Sequence, residues 1–408
     1  MARVTTIVPF SRLLPSDPPR AAYIHVPFCA HRCGYCNFTL VASRDDLIDG
    51  YLEAIAAELG WLGRPRPVDT LFFGGGTPTQ LPPDRLAQLI ATARHWFPLS
   101  DGYELSIEAN PADVTDERLA QLAELGVTRI SLGGQSFDQA KLSRLERDHT
   151  PEQLSVAVSI AKRWMRSVSV DLIFGVPDES LAVWQRDLET LLALEPDHVS
   201  TYGLTFERGT AFWSRLQHGR LARLDEDLEG AMYAAAIDTL AAAGLEHYEV
   251  SNFARPGHRC RHNEIYWAGG GYYAAGPGAA RFVDGRRELN HRSTTTWLRR
   301  VLAGQSPVAE SEVLLPADRA RELLVFGLRR LAGVERRSFG DVTGFEIDQL
   351  VGRELAELAH LGLMQVEPDG ARLTRAGLFV SDAIWPRLLR PDPVRDAVAT
   401  SAARGGSH

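Results

Sequence analysis

Two periods of apolar residues alternate along the first 200 residues of the chain. Short β-rich runs recur at 23–28, 70–73, 105–108, 129–132, 168–174 and 198–204. Between them, residues 45–62 place Leu47, Tyr51, Ile55 and Leu59 on one helical face, and 83–96, 115–125, 151–162 and 181–194 read similarly. Thr115 is followed three positions later by Arg118 and not by an acid or amide, so it can cap a helix without completing a capping box. Pro196 stops the last of these helices. Strands alternating with helices in this way predict an α/β fold with a parallel sheet, closed as a partial (β/α)6 barrel.

Most of the strands end in small or polar residues: Gly74-Gly75-Gly76-Thr77, Glu108-Ala109-Asn110-Pro111, Gly133-Gly134-Gln135-Ser136 and Gly175-Val176-Pro177. In βα folds the carboxyl ends of the strands carry the working loops, so these segments should meet at one mouth. Residues 208–243 read as mostly helical and complete the outer layer. Residues 258–280 are aromatic and glycine-rich, the composition of a close-packed loop against a ligand. Helical periodicity returns at 321–331 and 346–358, followed by a short β-like run at 363–366, a turn at Asp369-Gly370, the pair Arg372-Leu373, and a helix at 381–389. This order suggests a small α+β, winged-helix-like C-terminal domain, with 335–337 as a charged loop. The organisation expected is an extension (1–22), the barrel (23–243), a connecting region (244–305), the C-terminal domain (306–390) and a tail (391–408).

Composition narrows the function classes. Hydrophobic types make up 45% of 408 residues, and 44 Lys and Arg stand against 52 Asp and Glu, a formal net charge of -8. Such a balance gives no long-range attraction to a phosphate backbone, so no nucleic-acid partner is expected from the winged-helix-like end. No run approaches the roughly 18 apolar residues of a membrane span, and no secretory signal opens the chain, so a cytoplasmic protein with at most peripheral membrane association is expected.

Three of the four cysteines, Cys29, Cys33 and Cys36, fall within eight positions, and Cys260 is distant. Crowding of this kind points to a metal site in a reducing compartment. Structural zinc would need a fourth ligand, for which His25 or His31 is available. Three thiolates instead suit an iron–sulfur cubane with one iron left open to a small ligand. Cys260, in His258-Arg259-Cys260-Arg261-His262, reads as an ordinary loop cysteine.

Cys29-x-x-x-Cys33-x-x-Cys36, with Tyr35 before the last cysteine, resembles the signature of the radical S-adenosylmethionine (SAM) enzymes. The run Tyr23-Ile24-His25-Val26-Pro27-Phe28 leading into Cys29 is similar to the oxygen-independent coproporphyrinogen III oxidase group and its relatives. Gly74 to Thr79, Glu108 to Pro111, Gly134-Gln135-Ser136 and Asp171 to Pro177 match later motifs of that group in order. The resemblance implies a radical SAM barrel in which Cys29, Cys33 and Cys36 hold a [4Fe-4S] cluster whose open iron takes SAM. It implies that Tyr23 and Tyr35 flank the cluster, that Gly75, Gly76 and Thr77 approach the SAM amino group, and that Glu108, Gln135, Arg147 and Asp171 make further SAM contacts. It further implies a reducing electron donor and cleavage of SAM to methionine and a 5′-deoxyadenosyl radical.

Two branches share these motifs. The coproporphyrinogen dehydrogenases, which decarboxylate porphyrinogen propionates, carry a longer N-terminus and a further cysteine where this chain has Phe38. Both departures favour the haem-chaperone (HemW-type) branch, which passes haem to acceptor proteins such as respiratory enzymes, and the dehydrogenase stays as the alternative. His262-Asn263-Glu264-Ile265-Tyr266-Trp267 also resembles the chaperone branch. His262, Tyr266 and Trp267 are therefore the expected haem contacts, with His258 and Cys260 as neighbouring alternatives. Relatives commonly place His-Ser where this chain has Ala280-Arg281, so a contact there is expected to be missing.

Overall fold

The computed structural model describes residues 18–390, and the expected tail at 391–408 and residues 1–17 lie outside them. All six predicted strands are present: β1 (Ala21–Val26), then, after the short parallel pair β2 (Phe28–Cys29) and β3 (Val41–Ala42), β4 (Val68–Gly75), β5 (Leu99–Ala109), β6 (Arg129–Gln135), β7 (Ser167–Phe174) and β8 (His198–Gly203). They pair in parallel in chain order from β1 and β4 to β8. Helices α1 (Ile48–Gly60), α2 (Pro83–Trp96), α3 (Asp116–Glu124), α4 (Gln139–Arg144), α5 (Pro151–Trp164) and α6 (Leu181–Ala193) follow successive strands. They make the predicted partial (β/α)6 barrel. The Thr115 hydroxyl accepts from Arg118 N at 3.1 Å, a cap without a box, while Thr150 and Gln153 form a full capping box before α5.

Period-two alternation divides each strand between two environments. Outward residues such as Ile24, Phe73, Ile107, Leu132, Val170 and Val199 are buried against the helices and form the core. Inward residues include Ser106, Glu108, Arg129, Ser131, Ser169, Asp171, His198, Ser200 and Tyr202, which line cavities and not a packed interior. Closed βα barrels fill this space with branched apolar side chains. Here the interior is polar, so it is built to hold something other than its own side chains.

Beyond the barrel the 208–243 stretch forms α7 (Ala211–Gln217) and α8 (Glu226–Ala242). Strand β10 (Asn252–Ala254) adds antiparallel to β8, and β9 (Glu246–Glu249) pairs antiparallel with the far edge of β10. The aromatic, glycine-rich segment is not the ligand loop its composition suggests. It folds as α9 (Arg261–Trp267) and β11 (Tyr273–Ala275), which pairs parallel to β1 and completes a nine-stranded sheet. The first N–H groups of α9, from Arg261 and His262, donate to the Glu104 carboxylate at 3.1 and 3.2 Å, which docks the helix against the lower strand ends. A meander of β12 (Ala280–Val283), β13 (Arg286–Asn290) and β14 (Val308–Glu312), with α10 (Thr294–Leu302), leads on.

The C-terminal part comprises α11 (Pro316–Arg329), β15 (Val334–Glu335), α12 (Arg336–Thr343), α13 (Ile347–His360), β16 (Met364–Val366), β17 (Gly370–Leu373), α14 (Arg375–Phe379) and α15 (Ser381–Leu389). The three strands order as β15-β17-β16, giving the winged-helix-like arrangement. The expected charged loop at 335–337 is instead the junction of β15 and α12, and Arg336 pairs with Asp348 at 2.8 Å. Among the described residues no helix is long and apolar enough to cross a membrane.

One buried ion network bears on the mouth of the barrel. Lys141 Nζ contacts Glu179 at 2.5 Å and Asp187 at 2.9 Å, and all three are nearly inaccessible. Asp187 also accepts from Ser136 Oγ and Phe137 N, which fixes the loop after Gln135. Lys141→Met strands two carboxylates in a low-dielectric interior. It should lower stability by about 3–5 kcal/mol, measured by chemical denaturation, well beyond the effect of removing an exposed pair such as Arg44–Asp46.

Candidate functional site

A cavity of about 440 Å³ opens at the carboxyl ends of the strands, where the βα architecture places it. Cys29, Cys33 and Cys36 lie on its wall with Tyr35, Gly75, Gly76, Thr77, Glu108, Gln135, Arg147 and Asp171. Eleven of the twelve residues expected at a cluster and SAM site thus share one cavity. The exception is Tyr23. Its ring lies at 6.0 Å from that of Phe72, inside the barrel, and its hydroxyl donates to His25 Nδ1 at 3.1 Å. His25 Nε2 in turn donates to Thr39 O at 2.7 Å. Tyr23 is thus tied through His25 to Thr39, just behind the cysteine loop.

The cysteine loop is held at several points. Cys29 Sγ lies 3.4 Å from Thr77 Oγ1, and Cys33 Sγ lies 3.6 Å from both Arg147 Nη1 and His31 Nε2. His31 Nε2 donates to Glu146 O at 2.6 Å, which leaves this imidazole tied to the neighbouring loop. Burial pushes the Cys29 thiol up to about 11 and raises that of Cys36, so without metal both stay protonated at neutral pH. Among the described residues no three thiol, imidazole or carboxylate groups converge on a single-ion site. His25, with both nitrogens engaged, is not free to complete a zinc tetrahedron.

Beside Cys29, glycine lets the end of β4 pack closely on the start of the cysteine loop. Gly75 has φ +118°, and a side chain there would meet the His25 ring. A Cβ on Gly76 would lie 2.6 Å from Phe28 O. Gly75 N donates to Glu108 Oε2 at 2.9 Å. Burial, with repulsion from Asp171 added, lifts the Glu108 carboxyl to about 7 against the effect of that hydrogen bond. Asp171 accepts from Ser131 Oγ at 3.1 Å and is also raised by burial. Arg147 Nη2 donates to Gly133 O at 2.8 Å, while its Nε is buried with no partner among the described residues. Gln135 takes φ +64°, a left-handed turn at the end of β6.

These donors fit the two groups the sequence implies. An orphaned guanidinium N–H suits a carboxylate, two carboxyls suit an ammonium or sulfonium, and Gly75 and Gly76 present backbone to the cavity because they pack directly on the strand before the cysteine loop. Three thiols spread on one loop suit a cubane with one thiolate per iron.

The structure also adds residues that spacing had not singled out. Ile173, Leu204, Glu207 and Asp148 line the cavity, as does Tyr202. Tyr202 is 43% exposed although it lies within the barrel, because its ring faces cavity space. It alternates with Ser200 and His198 on an interior strand face, a period-two signal present in the sequence. A polar chamber of about 170 Å³ adjoins the first cavity and shares Glu108, Ser131, Asp171 and Tyr202 with it.

His262, Tyr266 and Trp267, the expected haem contacts, do not line the main cavity. His262 is 1% exposed, and its two ring nitrogens bond Thr70 Oγ1 at 2.9 Å and the Tyr266 hydroxyl at 2.8 Å. Burial lowers its pKa to about 3, so it is a neutral, satisfied interior residue. The Tyr266 ring packs edge-on against Tyr272, and Trp267 lies beneath the Arg329 guanidinium. Cys260 is buried and reaches only the smaller chamber, and His258 pairs with Asp197 at 3.8 Å. Arg281, at the position of the missing His-Ser, bonds Glu288 at 2.7 Å within the β12–β13 pair.

Comparison with known proteins agrees with this geometry. The profile of the radical SAM superfamily matches residues 23–191, and that of the HemN C-terminal domain matches 314–380. The chain is 32% identical over 376 residues to the protein of Bacillus subtilis named heme chaperone HemW, covering 91% of this chain and 99% of that one. It is 37% identical over 381 residues to the protein of the same name from Mycobacterium tuberculosis, covering 91% and 95%. The structure of coproporphyrinogen III oxidase (HemN) from Escherichia coli, a radical SAM enzyme, superposes with a TM-score of 0.81 at 21% identity, covering 93% of this chain and 92% of that one, a likeness of fold. Identity at this level over nearly the whole length of both proteins places the chain in the heme chaperone HemW family of radical SAM proteins.

Proposed function

We propose that this protein is a cytoplasmic, iron–sulfur and SAM-dependent haem chaperone that binds haem and delivers it to acceptor haemoproteins. The cavity that gathers three thiols, Glu108, Asp171, Gln135 and Arg147 supports the cluster and SAM part of the reading, and the observation that carries the haem part is 32–37% identity over about nine-tenths of the chain to proteins named heme chaperone HemW. Cys29, Cys33 and Cys36 hold a [4Fe-4S] cluster, and the remaining residues hold SAM beside it. When bound and reduced by an external electron donor, the cluster supplies the electron that cleaves the sulfonium of SAM. The chain's own part is positioning. Arg147 offers its unpaired Nε to a carboxylate, the Gly75–Gly76 backbone receives the amino end, and Glu108 with Asp171 faces positive charge. Haem reaches the chain as cargo. The dehydrogenase alternative draws on the same cavity, but Phe38 stands where that branch carries its further cysteine.

Anaerobic reconstitution followed by iron and sulfide analysis, haem titration by the Soret band, and assay of coproporphyrinogen III turnover tests both readings. Stoichiometric haem binding without porphyrinogen decarboxylation is expected. Decarboxylation by the same preparation would replace the chaperone reading with the dehydrogenase.

The raised Glu108 carboxyl gives a pH signature. Because its folded pKa of about 7 lies above the ordinary 4.5, the ligand-free protein has its full share of stability from this group below about 4.5 and loses it as pH rises past 7. A cationic ligand needs the ionised form. SAM affinity should therefore rise about tenfold between pH 6 and pH 8, measured by calorimetry, and Glu108→Gln should flatten the rise while weakening binding.

A further inference from the structure

The loop that follows the last cluster cysteine carries an unusual combination. Phe38 is 64% exposed, although it lies beside the cavity that holds the cysteines and lines its rim with Leu40 and Leu204. The backbone beneath it is held firmly. Arg32 donates to Cys36 O, Phe38 O and Leu40 O, the last at 2.8 Å, and Arg292 donates to Asn37 O and to Thr39 Oγ1. A side chain on a frayed loop finds cover or moves freely. This one is held out into solvent on a backbone fixed from two sides, the form of a preorganised anchor.

The two arginines add a second observation. Both are exposed, and neither has a carboxylate partner among the described residues, since each spends its donors on neutral oxygens of the loop. Elsewhere on the surface some arginines sit on acids, as Arg20, Arg163 and Arg375 do, and others, as Arg94 and Arg144, also donate to backbone oxygens. What sets this rim apart is two such arginines holding one loop beside an exposed ring. An apolar ring flanked by two uncompensated guanidinium charges matches a flat apolar molecule with carboxylates along one edge. The cavity below, at about 440 Å³, is taken up on the proposed reading by the cluster and SAM, which leaves its rim for a macrocycle.

We infer that haem docks on this rim, with its macrocycle against Phe38 and its propionates toward Arg32 and Arg292, and not on His262 of α9. The inference rests on the haem-chaperone reading and gives that reading a place. It puts the cargo over the mouth of the SAM cavity. Access of SAM and release of haem then occur through one opening.

The test is haem titration of anaerobically reconstituted full-length protein, with every preparation matched for iron and sulfide content. Phe38→Ser should weaken haem binding at least tenfold. The Arg32→Gln/Arg292→Gln pair should weaken it about three- to tenfold. Haem dimethyl ester, which lacks propionate charge, should bind the wild type more weakly by a similar factor and should not distinguish wild type from the arginine variant. His262→Leu should leave the haem affinity unchanged. Wild-type affinity in both the Phe38 and arginine variants would overturn the docking site while leaving the haem reading intact, as would loss of binding in His262→Leu alone. Failure of the wild type to bind haem would overturn the haem reading itself.

Discussion

Replacing Cys29, Cys33 and Cys36 together by alanine is expected to reduce iron and sulfide from about four of each per chain to background, and to abolish haem transfer. The fold should survive. The loop is anchored independently by Arg32, Arg292, the Thr39–His25 bond and the β2–β3 pair, none of which uses a thiol. Far-ultraviolet circular dichroism should therefore match the metal-free wild type while absorption from iron–sulfur charge transfer is absent. A single substitution should lower cluster content severely, because each iron that loses its only thiolate is left to solvent. Transfer that persists in the triple variant would mean that haem delivery is independent of the cluster, a binding module on a radical SAM scaffold.

Gly75→Ala is expected to weaken SAM binding by tenfold or more and to loosen the cysteine loop at the same time. Its φ of +118° is outside the range an alanine adopts without strain, which costs about 1–3 kcal/mol. The added methyl also meets the His25 ring, whose Nε2 holds Thr39 O behind the cysteine loop. The two effects separate experimentally. Calorimetry reads the affinity for SAM, and the rate of iron loss to a chelator reads the hold on the loop. Alanine at Gly63, which has a similar left-handed φ of +70° but open space around its side-chain direction, should leave both unchanged.

Much of this site was legible because strand ends announce themselves. The small and polar runs after β4, β5 and β6 are short and sit at the carboxyl edge of apolar segments, so their convergence follows from the alternation of strands and helices. The Cys29–Cys36 spacing needed no tertiary information at all. Tyr202 was hidden because one tyrosine in a strand looks like core, and only the emptiness in front of its ring says otherwise. Arg292 was hidden by 256 residues of separation from Cys36, since nothing local links it to Asn37.

The errors have physical causes too. Residues 261–267 were expected as loop because aromatic and glycine residues flank them, yet the helix is paid for by Glu104, a strand residue far back in sequence that accepts its first N–H groups. His262 was expected among the haem contacts because 262–267 resembles a motif of the chaperone branch. Its partners, Thr70 and Tyr266, come from a distant strand and the next helical turn and satisfy both nitrogens. Tyr23 is adjacent in sequence to the cluster run but faces the barrel interior by alternation, two positions before His25 on the same face.

Electron paramagnetic resonance of the anaerobically reduced, reconstituted protein, recorded with and without SAM, probes the open iron directly. A [4Fe-4S] signal whose g values shift when SAM is added is expected if the open iron takes SAM, with the shift lost in Gly75→Ala at the same SAM concentration. A preparation that holds one zinc ion and no cluster, or a cluster whose spectrum is identical in both samples, would contradict it.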